Sequence, residues 1–239
     1  MRPARFLLIL ACASLCGAQP TAASPPKILL LVRQQFKPGT GLHRERLERA
    51  MSRACNSLDV PIYWMEMQAF TGAPEALFFG PYDSFEGVEK AGAVLGSLYQ
   101  AHPDLAQIQA GIDETLASQR TILAERRDSP GVSSINLAQA RFLRMVVVQM
   151  KPGQDAPIND TPIDDAPIVE NAVVYRVTSG MPGPTFLLFQ PMAAFSQIPA
   201  VHVTAGTIVE DTVYAIEPQL SHISREFAAQ GREFWTKLP

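Results

Sequence analysis

The apolar and polar positions of the chain recur with two different periods, and these periods predict a mixed α/β fold. The apolar run at residues 27–36 predicts a strand, and the turn Lys37-Pro38-Gly39-Thr40 leads into a helix near Leu42. Strands are predicted next at residues 62–70 and 76–79, then a helix at 85–99 capped by Asp83 and a long helix at 104–126. The predicted order is therefore strand, helix, strand, strand, helix.

The first predicted helix carries the densest basic run of the chain, at residues 43–49. Glutamates interrupt this run at helical spacing, so pairs such as Glu45 with Arg49 are expected. Leu47, Met51, Ala54 and Cys55 fall on the opposite, apolar side. The pattern predicts a solvated charged face and a buried structural cysteine at position 55.

The chain contains an internal repeat that predicts two related halves. The segment PEALFFGPYDSF at 74–85 returns as PTFLLFQPMAAF at 184–195, an offset of 110 residues. FKPG at 36–39 matches MKPG at 150–153, an offset of 114. A third block pairs Ile112, Leu116, Gln119 and Leu123 with Ile223, Phe227, Gln230 and Phe234. Blocks in the same order at similar offsets favour duplication, with halves at 24–127 and 141–239 and a linker at 128–140.

The second half departs from the pattern of the first. Pro157, Pro162 and Pro167 interrupt the segment that corresponds to the first helix, and Pro199 interrupts the helix predicted after Phe195. A final helix at 218–237 is predicted to be intact, because its proline lies in the first turn. The second half is therefore expected to be partly degenerate.

The N-terminal residues predict export. Arg2 and Arg5 precede a short apolar run, and small residues follow, which is typical of a signal peptide at 1–23. The protein is then periplasmic or extracellular, and Cys55 is the cysteine that remains after cleavage. No later segment has the roughly 20 apolar residues of a transmembrane helix.

Charge and motifs exclude several classes of function. The net charge of −3 becomes −5 without the two signal arginines, which argues against nucleic-acid binding. The four histidines lack zinc-type spacing, and the acidic run at 155–170 lacks the pattern of a calcium loop. No cofactor and no metal are predicted, and a small-molecule ligand is the expected partner.

The predicted element order resembles the ferredoxin-like α/β sandwich, in particular the dimeric α/β-barrel superfamily. FKPGT with MKPGQ and the two PxxxxFxPxxxF blocks carry this resemblance. The runs LASQRTILAERR and INLAQARFLRMVVVQMKPG are similar to exported bacterial proteins with two such halves. The resemblance implies an α+β fold in which two ferredoxin-like halves form a pseudo-symmetric dimer within one chain. In departure from it, a long helix is predicted in place of each fourth strand.

Alternation along the second strand of each half suggests where a ligand would bind. Tyr63, Met65 and Met67 share an apolar side, as do Val173, Tyr175 and Val177. The opposite sides of these strands carry both polar and apolar residues, among them Trp64 and Glu66 in the first half and Arg176 in the second. If the apolar sides lie under the helices, these mixed sides face each other between the halves. The expected ligand-binding residues between the halves are Trp64, Glu66, Arg144 and Arg176. A salt bridge between Glu66 and Arg176 that only fixes the packing of the halves is the simpler interpretation.

Two functions fit these observations. The favoured one is a non-catalytic exported protein that binds a small ligand or a partner in the groove between its halves. The alternative, which the resemblance implies, is a cofactor-independent monooxygenase or a haem-handling enzyme of the dimeric α/β-barrel type. A cavity with several convergent polar groups is expected for an enzyme, whereas a filled core is expected for a binding protein.

Overall fold

The computed structural model describes residues 25–127, 137–151, 172–198 and 206–236, which form strands and helices around one barrel. The first part of the chain contains β1 (Ile28–Phe36), α1 (Gly41–Ser57), β2 (Met65–Ala69), β3 (Glu75–Tyr82), α2 (Phe85–Ala101), α3 (Pro103–Thr115) and β4 (Leu116–Arg126). The second part contains β5 (Phe142–Gln149), β6 (Val173–Ser179), β7 (Thr185–Met192), β8 (Thr207–Ile216), α4 (Arg225–Gln230) and α5 (Arg232–Trp235).

Eight antiparallel strands close into a barrel in the order β1-β3-β2-β8-β5-β7-β6-β4. The strands of the first part are adjacent in the order β4-β1-β3-β2, and those of the second part in the order β8-β5-β7-β6. The pairs β2–β8 and β4–β6 join the two sets. Closure leaves no free edge within the barrel, and the predicted α+β class with a barrel is confirmed.

The barrel interior is the main core, and it reverses the predicted orientation of β2. Met65 and Met67 face the barrel interior together with Leu29, Leu77 and Tyr175, all of them buried. The outer face of β2 lies under α1 instead. The predicted arrangement, with apolar sides under the helices, is therefore wrong, because a closed barrel needs one continuous apolar face inside.

Only the first half of the helix predicted at 104–126 is helical, and the second half is a strand. The helix ends at Thr115, whose carbonyl accepts hydrogen bonds from the Lys37 amide (2.9 Å) and the Thr40 hydroxyl (3.2 Å). From Leu116 onwards the chain pairs with β1 as β4, with Phe36 opposite Leu116 and Ile28 opposite Glu125. Leu116 and Leu123 fit a helical period, but pairing with β1 determines the structure here.

The second half also has its fourth strand, β8, and its last helix is shorter than predicted. The segment from 218 onwards forms a 3₁₀ turn at Pro218–Leu220 and then the short helices α4 and α5. They are separated at Gly231, where an added Cβ would clash with the carbonyl oxygen of Ala138. The third repeat block is therefore wrong, since Leu116 and Leu123 lie in β4 whereas Phe227 lies in a helix.

Three other predictions lie wholly or largely outside the described residues. These are the interrupted helix at 154–170, most of the linker and the signal peptide at 1–23. After Phe195 the structure describes a single 3₁₀ turn, Phe195–Gln197. Among the helices that the structure describes, none has the length and apolar character needed to cross a bilayer.

Candidate functional site

A cavity of about 310 Å³ lies at one end of the barrel, where β1, β5 and β6 begin and β3 and β7 end. Its walls are mostly apolar and rich in aromatic rings, and α4 lies across it. The lining side chains come from Pro25, Pro26, Tyr63, Trp64, Met65, Phe79, Pro81, Asp83, Leu137, Leu143, Val173, Tyr175, Phe189, Pro191, Ile223, Ser224, Phe227 and Gln230. The cavity therefore offers a flat ligand several ring faces and a few polar atoms.

Three aromatic rings form the inner wall of the cavity. Phe189 packs edge-on against Phe79 (5.5 Å between ring centroids) and against Tyr175 (5.8 Å). The Tyr175 hydroxyl donates a hydrogen bond to the carbonyl oxygen of Pro26 (2.9 Å), and burial raises the pKa of Tyr175. Tyr175 is thus a neutral, fixed wall residue.

Trp64 forms a second part of the wall and is held in place by Leu220 and His222, which lie behind it. The Trp64 indole donates to the carbonyl oxygen of Leu220 (3.1 Å), and its backbone pairs with His222 through two hydrogen bonds. The His222 ring lies 5.3 Å from the ring of Tyr63 and 5.1 Å from that of Trp64. Its nitrogens face Asn56 Oδ1 (2.5 Å) and the Val60 carbonyl oxygen (2.8 Å), and burial lowers its pKa.

Asp83 is the carboxylate among the lining residues. The sequence predicts that Asp83 caps the following helix, but Ser84 does so, because its hydroxyl accepts from the Gly87 amide (3.2 Å). Asp83 is therefore available at the cavity. Ser224 caps α4 through the Phe227 amide (3.1 Å), and Gln230 adds a further polar group.

A charged cluster fills the opposite end of the barrel interior. Arg33 donates to both oxygens of Glu75 (2.7 and 2.9 Å) and to both oxygens of Glu210 (2.7 and 2.8 Å). The hydroxyl of the fully buried Tyr214 donates to Glu75. Arg33 is thereby held by two carboxylates, and the cavity lies at the other, apolar end.

The residues predicted to bind a ligand do not come together. Trp64 lines the cavity, whereas Arg144 forms a bidentate ion pair with Asp211 (2.7 and 2.6 Å). Arg176 lies on the outward side of β6, next in sequence to the inward Tyr175 and opposite Glu125 of β4. Of the four residues only Trp64 lines this cavity, and ligand binding by the set stays a prediction.

Glu66 and Arg176 do not meet because both face outward from the barrel, on strands β2 and β6, which are separated by β8, β5 and β7. The strand register also shows that the two positions do not correspond. Met65 pairs with Phe79, and Val173 pairs with Phe189, which lies 110 residues after Phe79. In this register the position of β6 that corresponds to Glu66 is Val174, and Arg176 corresponds to Gln68. The sequence alignment that matches Glu66 with Arg176 is shifted by two residues.

Glu66 instead belongs to a buried charge cluster between α1 and the barrel. Arg44 donates to Glu66 (2.9 Å), to Glu48 (3.1 Å) and to Gln34 (3.2 Å). Arg44, Glu48 and Glu66 are 1%, 4% and 0% exposed. The predicted solvated face is therefore wrong for Arg44 and Glu48, whereas the predicted pair of Glu45 with Arg49 is confirmed at 2.5 Å.

This cluster has two carboxyl groups and one guanidinium. Burial raises the pKa of Glu48 to about 7. The attraction of Arg44 opposes this shift, and repulsion from Asp113 adds to it. Burial raises the pKa of Glu66 well above its ordinary value, and repulsion from the carboxyl groups of Glu48 and Glu217 adds to this shift. The attraction of Arg44 opposes it. Within the described residues, Glu66 Oε2 has no hydrogen-bond partner. The pair is therefore expected to keep one proton near neutral pH.

The substitution Glu66→Gln is expected to raise the free energy of unfolding at high pH by about 1–3 kcal/mol, because the amide needs no proton. A carboxyl group whose pKa is higher in the folded state stabilises the fold fully at pH values below its unfolded pKa, which is 4.5. This stabilisation is lost as the pH rises through the folded pKa, which is about 7 for Glu48. Urea unfolding across this range should therefore give a flatter pH dependence for the variant. Glu45→Gln, in the partly exposed pair with Arg49, is the control. Parallel pH curves for the wild type and both variants would contradict the shared proton.

Comparisons with known proteins give no family. No family model matches the chain, and no curated protein matches it significantly. An anthrone oxidase-like protein of known structure shares 13% identity and a TM-score of 0.47 over 82% of this chain and 93% of its own. A candidate monooxygenase from Fusobacterium nucleatum subsp. nucleatum shares 8% identity and a TM-score of 0.47 over 81% and 94%. A candidate chlorite dismutase shares 10% identity and a TM-score of 0.48 over 85% and 99%.

The expectation of a non-catalytic module that binds in a groove between the halves is wrong. The strands of both halves close into one barrel, so the cavity lies inside the barrel and not in a groove beside it. Three of the similar structures are described as an anthrone oxidase-like protein or as candidate monooxygenases. Several residues of the site were missed because Tyr63 and Tyr175 were interpreted as an ordinary apolar strand face.

Metal binding finds no support in the described residues, where no three His, Cys, Asp or Glu side chains are grouped to hold an ion. Cys55 is 1% exposed, and burial raises its pKa to about 11. The predicted structural cysteine is confirmed as buried.

Proposed function

We propose that this protein is an enzyme that binds a flat, mostly apolar small molecule inside the barrel and oxygenates it without a bound cofactor. The observation that carries the proposal is the cavity of about 310 Å³ with walls from Trp64, Phe79, Tyr175 and Phe189. Pockets for small molecules have volumes of about 300 Å³ or more and combine apolar walls with a few polar groups. Ring faces and edges of this kind favour a planar aromatic ligand.

The proposed reaction uses electrons of the substrate itself. An activated methylene between two aromatic rings reacts with dioxygen so that the carbon becomes a ketone, one oxygen atom enters the carbonyl and the other leaves as water with both methylene hydrogens. The protein has to orient the ring, exclude water and accept a proton from the methylene. Among the lining residues, the carboxylate of Asp83 is the group that can accept this proton.

The cavity does not fit a haem-handling function. No histidine lines it, and both ring nitrogens of His222 already face Asn56 and Val60. His43 lies on the exposed side of α1, and His102 lies between α2 and α3. Among the histidines that the structure describes, none is thus placed as an axial ligand for haem iron in this cavity.

The substitution Leu143→Trp tests whether the cavity is the binding site. Leu143 lines the cavity and is 1% exposed, so an indole there would occupy the space of a ligand. With anthrone as the probe substrate, we expect binding to weaken by at least about tenfold and oxygen consumption to fall with it. Fluorescence titration and an oxygen electrode measure the two effects.

Leu143→Met is the matched control, because it keeps the volume of the side chain and should bind the probe as the wild type does. Circular dichroism shows whether each variant is folded. Unchanged binding and turnover in folded Leu143→Trp would contradict the proposed site. No oxygen consumption by the wild type with anthrone would contradict the proposed reaction on this substrate class.

We also infer that the two halves arose by tandem duplication. The same strand order in each half supports this, as does the agreement between the β1–β3 and β5–β7 registers, in which Ile28 pairs with Tyr82 and Phe142 with Met192. We propose separately that the protein is exported, because Arg2 and Arg5 precede a short apolar run that is typical of a signal peptide.

A further inference from the structure

A second, outer pocket of about 480 Å³ lies beside the barrel cavity. It is formed by the turn before β2, the end of β3 and the first turns of α2. Tyr63, Pro81 and Asp83 line both this outer pocket and the barrel cavity. The two spaces therefore meet at these three residues.

Tyr63 has the largest movable side chain of the three. Pro81 is held in β3 opposite Leu29, and Asp83 is followed directly by the helix cap Ser84. Tyr63 lies outside β2 and is 40% exposed, and its hydroxyl makes no hydrogen bond with the residues that the structure describes. Rotamer changes of exposed side chains are fast, so this ring can swing between the two spaces.

The neighbouring ring of Trp64, unlike that of Tyr63, is held in place. Its indole nitrogen is bonded to Leu220 and its backbone is paired with His222, so this ring stays in place. Tyr63 contacts the His222 ring at 5.3 Å and no other aromatic ring among the described residues. One fixed ring and one movable ring thus stand side by side at the junction.

We infer that small molecules reach the barrel cavity through the outer pocket, past the ring of Tyr63, and that this ring limits the width of the ligand. The inference deepens the proposed function and rests on it for the use of the cavity. The competing route runs beneath α4, where Phe227 lines the cavity but not the outer pocket. Tyr63 is thus a specificity-determining residue, and Phe227 marks the other route.

Fluorescence quenching of Trp64 can test the route without a substrate. The chain has two tryptophans, and the other one, Trp235, is buried in the core, where phenylalanine can replace it with an aromatic ring. In the Trp235→Phe background, quenching by acrylamide measures how fast a small neutral molecule reaches the cavity wall. We expect Tyr63→Ala to raise the quenching rate constant severalfold and Tyr63→Phe, which keeps the ring, to leave it unchanged.

Phe227→Ala is the control for the route beneath α4, and it should change the rate constant less than Tyr63→Ala does. A larger rise in Phe227→Ala, or no rise in folded Tyr63→Ala, would overturn the inference. Thermal unfolding shows that the variants are folded, and Tyr63→Leu replaces Tyr63→Ala if the latter is not. Because quenching needs no substrate, a failure of anthrone turnover would count against the proposed function alone.

Discussion

Replacement of Arg44 by alanine is expected to lower the free energy of unfolding by about 3–5 kcal/mol, because it leaves buried carboxyl groups without a counter-charge. Arg44 is 1% exposed and donates to Glu48 and Glu66, which are 4% and 0% exposed. Its guanidinium also lies over the rings of Phe36 (4.4 Å) and Phe78 (5.6 Å). The loss therefore combines an unpaired buried charge with lost packing against two rings.

Urea unfolding near neutral pH measures this loss, and Arg49→Ala is the matched control. Arg49 lies on the same helix and pairs with Glu45, but this pair is about one-third exposed on each side. Exposed pairs of this kind contribute about 0–1 kcal/mol. A loss in Arg44→Ala no larger than that in Arg49→Ala would show that the cluster does not stabilise the fold.

The double variant Arg44→Met with Glu66→Gln separates charge from volume. Methionine fills part of the space of the arginine stem, and glutamine removes one of the two carboxylates that would otherwise lose their partner. This double variant should recover a large part of the loss seen in Arg44→Ala, because buried ion pairs are often replaceable by neutral residues of similar size.

The strands of the first half were predictable because their periods are local. Residues 27–36, 62–70 and 76–79 were predicted as strands, and the structure has β1, β2 and β3 there. β4 was missed because Leu116 and Leu123 fit a helix as well as a strand, and only pairing with β1 decides between them. Information about pairing partners far along the chain is absent from a local pattern.

The site was less predictable than the fold because side chains can face either side of a strand. The apolar side of β2 was identified, but its placement under a helix was the wrong choice between two equal possibilities. Arg44 was interpreted as solvated because its neighbours in sequence are charged, whereas its partner Glu66 lies 22 positions away. Closure of the barrel decides which side of β2 faces inward and that Arg44 is buried against its outer side. No short segment of sequence encodes this closure.

Replacement of Asp83 by asparagine is expected to lower the rate of oxygenation of an anthrone by about 10²–10⁴-fold, since the amide cannot accept the methylene proton. Asparagine has nearly the shape of aspartate, so the cavity keeps its volume and the probe should still bind. Helix α2 should be unaffected, because Ser84 and not Asp83 caps it. The expected signature is a fall in kcat with little change in the dissociation constant.

Glu86→Gln is the matched control for this loss of one negative charge. Glu86 lines the outer pocket but not the barrel cavity, and it pairs with Lys90 at the exposed surface. Turnover should therefore stay close to that of the wild type. Equal rates in Asp83→Asn and wild type would remove Asp83 from the reaction, and equal losses in Asp83→Asn and Glu86→Gln would point to a general charge effect at the mouth. Loss in Asp83→Asn alone is the result that a proton acceptor at the cavity requires.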